Sequence, residues 1–353
     1  MQPAALITVI IPHCNGEAIL RDCLRSLTEN AGCGLDILLV DNASSDSSAA
    51  MVRAEFPQVR ILSLDRNHGF AGGCNAGIRA VSTPYVLILN NDTIHAPQWV
   101  ARLQECLESD ARIAVVQPKL RSYYQPDVFD YSGACGGELD MFGFPFARGR
   151  LFEQLEKDNG QYDQVDPNLF WASGTAFLAR REVLLTAGLF DEHFFAHMEE
   201  IDLQWRIQLM GYQIRIAPQA VVWHRSGYTL GAEAPLKKYL NHRNAWLMFL
   251  ANYRLMLTLY LFPIRLLLES LAFFFSLLRR DWGRAGAILR ALGWLLIHPL
   301  MIVRKRHQVK SIRRLGDRDL LRKMYRGSIA LRYYLGGLKT YGKLLHRRSA
   351  VTR

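Results

Sequence analysis

The sequence lacks the features that would mark a disulfide-bonded, zinc-binding or secreted protein. Its 353 residues include six cysteines, all within the first 135 residues, and no two of them form a CxxC pair. This spacing argues against a zinc knuckle or a disulfide framework and is typical of a reducing cytoplasm. The N-terminal stretch MQPAALITVIIP has no basic region before its short apolar run. We therefore interpret that stretch as a strand rather than a signal peptide.

Long uninterrupted hydrophobic runs are also missing. No window reaches the ~20 apolar residues of a plain membrane-spanning helix, although residues 246–303 are dense in Leu, Phe and Trp. The interrupting polar residues are Arg254, Arg265, Glu269, Arg290 and His298. The stretch could form buried helices of a soluble domain, or interfacial or re-entrant helices lying against a bilayer. We expect membrane association and leave open whether any segment spans.

Positive charge is concentrated at the C-terminal end of the chain. Residues 304–353 hold 16 Lys or Arg and two Asp, a net charge of +14, which leaves −3 for the other 303 residues. We therefore expect an anionic partner for this segment alone, and the preceding apolar stretch favours an anionic membrane surface. Nucleic acid is not expected, although four tyrosines interleave with the basic residues: Tyr325, Tyr333, Tyr334 and Tyr341.

Residues 6 to about 100 alternate strand-like and helix-like stretches. Apolar runs such as LITVIIP, LDILLVD and YVLIL are separated by stretches with helical spacing, such as AILRDCLRSLTEN. This order predicts an α/β fold in which helices cover a mostly parallel sheet. Ligands of such sheets bind beyond the C-terminal strand ends. Residues 113–165, rich in Gly and aromatics, are expected to be long loops near a site.

The predicted strands end in polar residues. Asp41 follows DILLV, and Asp92 follows YVLIL and two asparagines. A carboxylate near a nucleotide diphosphate usually works through a divalent cation, because direct contact would repel. Asp92 could equally cap a following helix, and Asp41 could close an Asx turn in DNASSD. His224 ends the run AVVWH and could be a second metal ligand beside Asp92.

Two further motifs are candidates for chemistry. NHGFAGGCNAG offers glycines for close backbone approach and a helix start for a phosphate, but it is not GxGxxG and is weak alone. MEEIDLQWR places Glu199, Asp202 and Arg206 on one helical face, while Glu200 points elsewhere. Three carboxylates so close together suggest a cationic or reactive neighbour. The simpler interpretation is an acidic first turn stabilised by the helix dipole.

The sequence resembles glycosyltransferase family 2, and in particular its bacterial rhamnosyltransferase-like members. The resemblance covers residues 6 to about 250 and rests on an ordered set of motifs: TVIIPHCN, LLVDNASSD, NHGFAGGCNAGI, YVLILNNDT, SGTAFLARREVLLTAGLFDEHFFAHMEEIDLQWR and VWHRSG. It implies a GT-A fold, in which a sheet binds a nucleotide sugar. It also implies a divalent metal, Mg²⁺ or Mn²⁺, and inversion at the anomeric carbon.

The resemblance further implies roles for individual residues. Asp92 would be the final acid of a DXD-type metal motif, and His224 would complete the metal and diphosphate site. Glu199 and Glu200 resemble the acidic pair that holds the catalytic base. We assign the base to Glu200 and expect an ion-paired, positioning role for Glu199. The implied donor-binding residues are Pro12, Asn15, Asp41 as reader of the base, Asn67, Gly72, Gly73, Asn75, Asn91 and Arg243. Cys14 and Glu200 stand where the family more often has Tyr and Asp.

The resulting expectation is an inverting, metal-dependent glycosyltransferase. Its favoured donor is dTDP-rhamnose, and its acceptor is a lipid-linked or cell-surface glycan at the cytoplasmic face of the bacterial inner membrane. A non-catalytic nucleotide-binding membrane adaptor is the alternative, and it would not need the acidic pair. We expect a GT-A domain over residues 1–240, membrane-associating helices over 241–303 and a basic tail over 304–353.

Overall fold

The structure is a computed structural model that describes residues 5–226 and 235–345. Residues 1–4, 227–234 and 346–353 lie outside the described residues; they include the Gly227 that ends the VWHRSG motif and the end of the basic segment. The strands are β1 (Ile7–His13), β2 (Asp36–Asp41), β3 (Arg60–Ser63), β4 (Tyr85–Leu89), β5 (Thr93–His95), β6 (Ile113–Ser122), β7 (Gly137–Leu139), β8 (Pro145–Ala147), β9 (Arg150–Leu151), β10 (Gln154–Leu155), β11 (Asn168–Leu169), β12 (Ala176–Arg180) and β13 (Gln213–His224). The helices are α1 (Glu17–Asn30), α2 (Ser48–Glu55), α3 (Gly69–Ala80), α4 (Trp99–Glu108), α5 (Arg181–Thr186), α6 (Glu199–Leu209), α7 (Pro235–Asn252), α8 (Leu255–Leu278), α9 (Trp282–Ile297), α10 (Pro299–Ile312), α11 (Asp317–Arg322) and α12 (Ile329–Tyr334).

A nine-stranded sheet forms the centre of the fold. Its order is β11-β13-β6-β12-β4-β1-β2-β3, with β5 paired to β13. The four strands β3, β2, β1 and β4 are parallel, as the sequence predicts. β12 runs antiparallel between β4 and β6, so the whole sheet is mixed. Helices α1, α2 and α4 pack on one face and α3, α5 and α6 on the other, which buries both faces of the alternating apolar strands.

The expectation of long loops over residues 113–165 is wrong for much of that stretch. β6 is a ten-residue strand inside the main sheet, and β7 to β10 form a separate four-stranded antiparallel sheet. Pro118 and Lys119 obscure β6 in the sequence, because proline and charge usually exclude a central strand. Pro118 lies where the register with β13 shifts, and the buried Lys119 ammonium pairs with Asp158 and Asp163.

The described part of the basic segment packs onto the body of the protein. Leu320, Ile329 and Tyr341 are buried in the same apolar clusters as residues from the first 210 positions of the chain. The backbone N–H of Ile329 donates to Asp140 at 3.0 Å, and the Tyr341 hydroxyl donates to Glu138 at 2.9 Å. Helix α10 runs through residues 303 and 304, so the expected division falls inside a helix, and the division into domains stays a prediction.

Helices α8 to α10 expose an extensive apolar surface, which we call the apolar helix face. It comprises Leu255, Met256, Leu259, Tyr260, Leu267, Phe274, Leu278, Trp282, Leu289, Leu296, Ile297, Leu300 and Val303. The opposite side of α8 packs inward and carries a buried ion pair between Arg265 and Glu269 at 2.6 Å. Among the described residues α8 is long and apolar enough to cross a membrane, and α9 with α10 would qualify as one span although they are bent by 76°.

Candidate functional site

The pairing of short strands brings Asp92 against His224. β4 ends just before Asn90, and β5 then turns back to pair with the end of β13, which sets Thr93 opposite His224. As a result, Asp92 Oδ1 lies 3.1 Å from His224 Nε2, and both side chains are buried. The helix-capping alternative for Asp92 is wrong, because the next helix, α4, begins only at Trp99.

A second carboxylate, which the sequence did not reveal, holds the other side of the His224 ring. Asp130 Oδ1 lies 2.9 Å from His224 Nδ1, and Ser226 Oγ donates to Asp130 Oδ2 at 2.7 Å. Burial disfavours the imidazolium, but the charges of Asp92 and Asp130 outweigh it and raise the pKa of His224 to about 10. Asp130 lies in the irregular chain after β6, where no periodicity or motif marks it.

Asp92 and His224 fit a divalent cation that takes further ligands from a substrate. Asp92 Oδ1 is buried and accepts no hydrogen bond within the described residues, so the 3.1 Å approach of His224 Nε2 is not a well-aligned hydrogen bond. Over residues 5–226 and 235–345, no cluster of three or more His, Cys, Asp or Glu side chains could hold a metal alone. Such a pair suits Mg²⁺ or Mn²⁺, since Mg²⁺ commonly binds one or two protein carboxylates together with substrate phosphates and water.

The ends of β1, β2 and β4 meet beside this pair, as the parallel order predicts. The amide of Asn91 lies 2.7 Å from His13 Nδ1, which joins the ends of β4 and β1. Asn15 accepts a hydrogen bond from the backbone N–H of Ser45 at 2.8 Å, which joins the loops after β1 and β2. Asp41 Oδ1 accepts from Ser44 N at 3.0 Å, so the Asx turn is present. Its role as reader of the base stays a prediction.

The Gly-rich segment packs tightly against the protein itself. A Cβ on Gly72 would lie 2.5 Å from the Cβ of His68, and one on Gly73 would lie 3.2 Å from Pro12. The side chain of Asn67 accepts from the N–H of Gly69 at 2.8 Å and so shapes the start of α3. These glycines therefore let α3 begin close to the end of β1. Contact with a donor phosphate stays a prediction for all of these residues.

Asn42 and Asn75 have roles that the sequence did not suggest. The side chain of Asn42 accepts a hydrogen bond from the N–H of His68 at 2.8 Å and donates one to the carbonyl of Gly69 at 2.9 Å. Asn42 therefore stabilises the turn before α3. Asn75 is buried, and its amide exchanges two hydrogen bonds with the backbone of Phe190, at 2.9 and 3.0 Å. The amide of Asn75 thus joins α3 to the segment before α6, and the structure adds no support for its predicted contact with the donor.

The acidic pair begins α6 after a segment of unusual backbone. Phe195, His197 and Met198 all have positive φ, between 64° and 70°, which costs energy in non-glycine residues. Burial raises the pKa of Glu200 to about 7, although hydrogen bonds from backbone N–H groups oppose the rise. Burial and the neighbouring Glu200 raise the pKa of Glu199 well above its ordinary value. An oxygen of each carboxylate is buried without a hydrogen-bond partner in the described residues.

The ion pair expected for Glu199 is not found among the residues that the structure describes. Arg206 instead pairs with Asp202 at 3.0 Å, because residues four apart on a helix lie one turn apart while residues seven apart lie two turns apart. Glu199 is buried without that cation. The two acids therefore form a protonatable pair with raised pKa values, an arrangement that can accept or hold a proton near neutral pH.

Helix α7 holds the segment that precedes the acidic pair. Arg243 donates to the carbonyls of His193 and Phe194 at 2.6 and 3.1 Å. Asn244 donates to the carbonyls of Phe194, Ala196 and His197 at 3.2, 3.0 and 2.7 Å. Because the Arg243 guanidinium is buried on these carbonyls, the structure gives it a positioning role, and its contact with a diphosphate stays a prediction without structural support.

Lys305 on α10 adds a charged connection to the same segment. Its ammonium group is buried and lies 2.6 Å from Asp191 and 2.9 Å from Asp202. Asp191 precedes the strained turn and Asp202 lies in the first turn of α6. The helices beyond residue 235 therefore contribute to the geometry of the acidic pair as well as to the apolar helix face.

Comparison with known proteins gives a family and two relatives. The model of the family described as Glycosyl transferase family 2 matches residues 8–186, about half of the chain. The N-acetylglucosaminyl-diphospho-decaprenol L-rhamnosyltransferase of Mycobacterium tuberculosis is 25% identical over 236 residues, which cover 62% of this chain and 75% of the relative. The poly-beta-1,6-N-acetyl-D-glucosamine synthase of Staphylococcus aureus is 22% identical over 229 residues, 64% of this chain and 51% of that protein.

Two solved structures share the fold. GalNAc-T7, solved with UDP, GalNAc and Mn²⁺, superposes with a TM-score of 0.54 at 15% identity. The match covers 71% of this chain and 48% of GalNAc-T7, so the chain spans about half the length of that protein. The mannosyltransferase PcManGT of Pyrobaculum calidifontis, solved with GDP-Man and Mn²⁺, gives 0.51 at 15% identity and covers 83% and 87% of the two chains. These likenesses confirm the expected GT-A fold.

Proposed function

The chain belongs to glycosyltransferase family 2, and we propose that it transfers a sugar, with inversion, from a nucleotide diphosphate donor to a lipid-linked saccharide. It is a glycosyltransferase by its family and its relatives. The observation that carries the finer proposal is the convergence of Asp92 and His224, 3.1 Å apart, beside the C-terminal ends of the parallel strands. Ligands of α/β sheets bind at that edge.

In this proposal the donor diphosphate lies over the ends of β1, β2 and β4, and Asp92 and His224 hold Mg²⁺ or Mn²⁺ there. The metal, when bound, would neutralise negative charge on the leaving diphosphate. The amides of Asn90 and Asn91 next to Asp92 add no charge that would repel it. The presence of Mn²⁺ in the GalNAc-T7 and PcManGT structures supports this choice of cation.

Glu200 is the proposed general base. Its carboxylate would take the proton of the acceptor hydroxyl while that oxygen forms a bond to the anomeric carbon and the bond from this carbon to the diphosphate oxygen breaks. The pair of electrons leaves with the diphosphate. Because the acceptor oxygen attacks from the face opposite the diphosphate, the configuration at the anomeric carbon is inverted. A pKa of about 7, raised by burial, suits this task because it leaves a substantial deprotonated fraction and a strong enough base near neutral pH.

The proposed donor is dTDP-rhamnose, and the proposed acceptor is a polyprenyl-diphosphate-linked saccharide. The name of the Mycobacterium tuberculosis relative supports both, since it describes rhamnosyl transfer to a sugar on diphospho-decaprenol. The Staphylococcus aureus relative is named for a different sugar, so the donor must be established by experiment.

We place the protein at the cytoplasmic face of the bacterial inner membrane, held by the apolar helix face. Arg279 and Arg280 are exposed at the end of α8, beside Leu278 and Trp282 of that face. Apolar side chains flanked by exposed arginines are typical of surfaces that enter the boundary of an anionic bilayer. Such attachment would bring the acidic pair to a lipid-linked acceptor, because α7 and α10 contact both regions.

A screen of nucleotide sugars tests the function. The full-length protein is incubated with each donor, a bacterial membrane-lipid extract and Mg²⁺ or Mn²⁺, and the released nucleoside diphosphate is measured. We expect release from dTDP-rhamnose that requires the lipid extract. Release only from another nucleotide sugar would show that the proposed donor is wrong and would identify the donor. No release above the lipid-free control from any donor would favour the non-catalytic adaptor.

A further inference from the structure

Asp130 is a buried carboxylate beside the proposed metal site, and both of its oxygens already accept hydrogen bonds within the protein. Only 1% of the residue is exposed. Its Oδ1 accepts from the backbone N–H of Ser132 at 2.7 Å and faces His224 Nδ1 at 2.9 Å. Its Oδ2 accepts from Ser226 Oγ at 2.7 Å. Both oxygens are therefore satisfied within the protein, in contrast to Oδ1 of Asp92.

The backbone fixes Asp130 relative to the strand that carries His224. The N–H of Asp130 donates to the carbonyl of Leu120 in β6 at 3.0 Å, and the N–H of Leu120 donates to Ala134 at 2.9 Å. β6 pairs with β13 up to the contact of Ser122 with His224. The segment that carries Asp130 and the strand that carries His224 are thus both attached to β6 by backbone hydrogen bonds.

From this geometry we propose that Asp130 is a positioning residue that fixes the ring orientation and tautomer of His224 for a divalent cation shared with Asp92. Since Asp130 accepts a hydrogen bond from Nδ1–H, the proton belongs on Nδ1 and the Nε2 lone pair can face the cation. Outer carboxylates of this kind orient metal-bound histidines in proteins. The inference rests on the proposed metal-dependent function.

The two aspartates then have different tasks. Asp92 offers a buried oxygen that accepts no hydrogen bond from any described residue, which suits a direct metal ligand. Asp130 lies on the far nitrogen of the imidazole and has no free oxygen with which to bind the metal. Replacing Asp130 by Asn would put an amide NH₂ or a weaker acceptor against Nδ1, and in the first case the proton would move to Nε2 and block the cation.

Mn²⁺ binding by the full-length protein tests the inference without any need for turnover. Free Mn²⁺ is measured by electron paramagnetic resonance in the presence of dTDP, for the wild type, Asp130→Asn and a control, Asp140→Asn. Asp140 is another fully buried aspartate, but it bonds to backbone N–H groups away from His224. We expect Asp130→Asn to weaken Mn²⁺ binding about 10- to 100-fold and Asp140→Asn to leave it unchanged.

A second readout separates positioning from general stability. In protein labelled with ¹⁵N-histidine and loaded with Mg²⁺ and dTDP, the Nδ1–H signal of His224, assigned with His224→Gln, should be protected from exchange in the wild type and lost in Asp130→Asn.

Unchanged Mn²⁺ affinity in folded Asp130→Asn overturns the inference and leaves the metal site intact. If Asp130→Asn does not fold, Ser226→Ala must show a smaller loss in the same direction, and wild-type affinity there overturns it too. Failure of the wild type to bind Mn²⁺ overturns the metal-dependent function itself.

Discussion

Replacing Leu278 and Leu296 with Ser should detach the protein from anionic vesicles. Both leucines belong to the apolar helix face, one at the end of α8 and one near the end of α9, and they are 84% and 81% exposed. Nothing in the described structure packs over most of either side chain, so their loss should cost little folding stability. Exposed substitutions of this kind usually change the unfolding free energy by less than about 0.5 kcal/mol.

The expected size of the effect follows from this exposure. Burying a leucine side chain completely contributes about 1.5–3 kcal/mol. If the bilayer interface covers the exposed parts of both side chains, their joint contribution is about 2.5–5 kcal/mol. At about 1.4 kcal/mol per tenfold change, vesicle affinity should fall by about 60-fold to about 4,000-fold.

Cosedimentation of the purified full-length chain with phosphatidylglycerol-containing vesicles measures this affinity. Leu6→Ser is the matched control, since Leu6 is 49% exposed just before β1 and lies outside the apolar helix face. Wild-type binding should weaken with salt but not disappear, because screening removes the ionic part and not the apolar part. A double variant that binds like Leu6→Ser would refute the role of this face. A wild type that stays in the supernatant at low salt would refute membrane attachment altogether.

Further outcomes are expected for the metal site, for Glu200 and for Lys305. Asp92→Ala and His224→Ala should each lose turnover and metal-dependent nucleotide binding, and excess chelator should have the same effect on the wild type. Full wild-type activity in chelator, together with unchanged activity of Asp92→Ala, would contradict the metal site. Turnover should rise with pH through about 7, because the base must be deprotonated and burial raises the pKa of Glu200 to about 7; a flat profile between about pH 5 and 9 would contradict the assignment. The same raised pKa means that the stability due to this carboxyl is present at low pH and is lost as the pH rises through about 7. Lys305→Met should lower the unfolding free energy by about 3 kcal/mol, since the buried Asp202 and the partly buried Asp191 lose a partner. It should also reduce turnover more than donor affinity, whereas Lys305→Arg should restore part of the stability and the turnover. Unchanged thermal unfolding and turnover in Lys305→Met would contradict the positioning role.

The approach of Asp92 to His224 can be predicted in part from the sequence. Apolar runs identify β4 and the end of β13, and polar residues that follow strands of such a sheet gather at one edge. The contact itself depends on β5, a three-residue strand that is too short to be recognised from its pattern. The sequence therefore predicts that the two residues approach each other but not how they do so.

Asp130 and Lys305 could not be identified in this way. Asp130 lies in a stretch without periodicity, and only the bond of its backbone to β6 brings it to His224. Lys305 looks like one of many cations in a basic segment, yet it is buried between two aspartates that lie more than 100 residues away in the chain. Long-range packing determines where the Asp130 and Lys305 side chains lie, and the local spacing of residues in the sequence does not reveal that packing. The same limit applies to Glu199, whose predicted partner Arg206 pairs with Asp202 instead.

The central claim is that Glu200 removes the acceptor proton during transfer from a nucleotide sugar. Its most direct test compares turnover and donor binding in the wild type, Glu200→Gln and Glu199→Gln, with the donor that the screen identifies. We expect Glu200→Gln to lose about 10²- to 10⁴-fold in turnover with donor affinity near wild type, because a general base contributes about that much and the amide keeps the size of the side chain. Glu199→Gln should disturb binding or stability along with the rate. Normal turnover by Glu200→Gln, together with an inactive Glu199→Gln that still binds the donor, would exchange the two roles, and normal turnover by both variants would contradict the account.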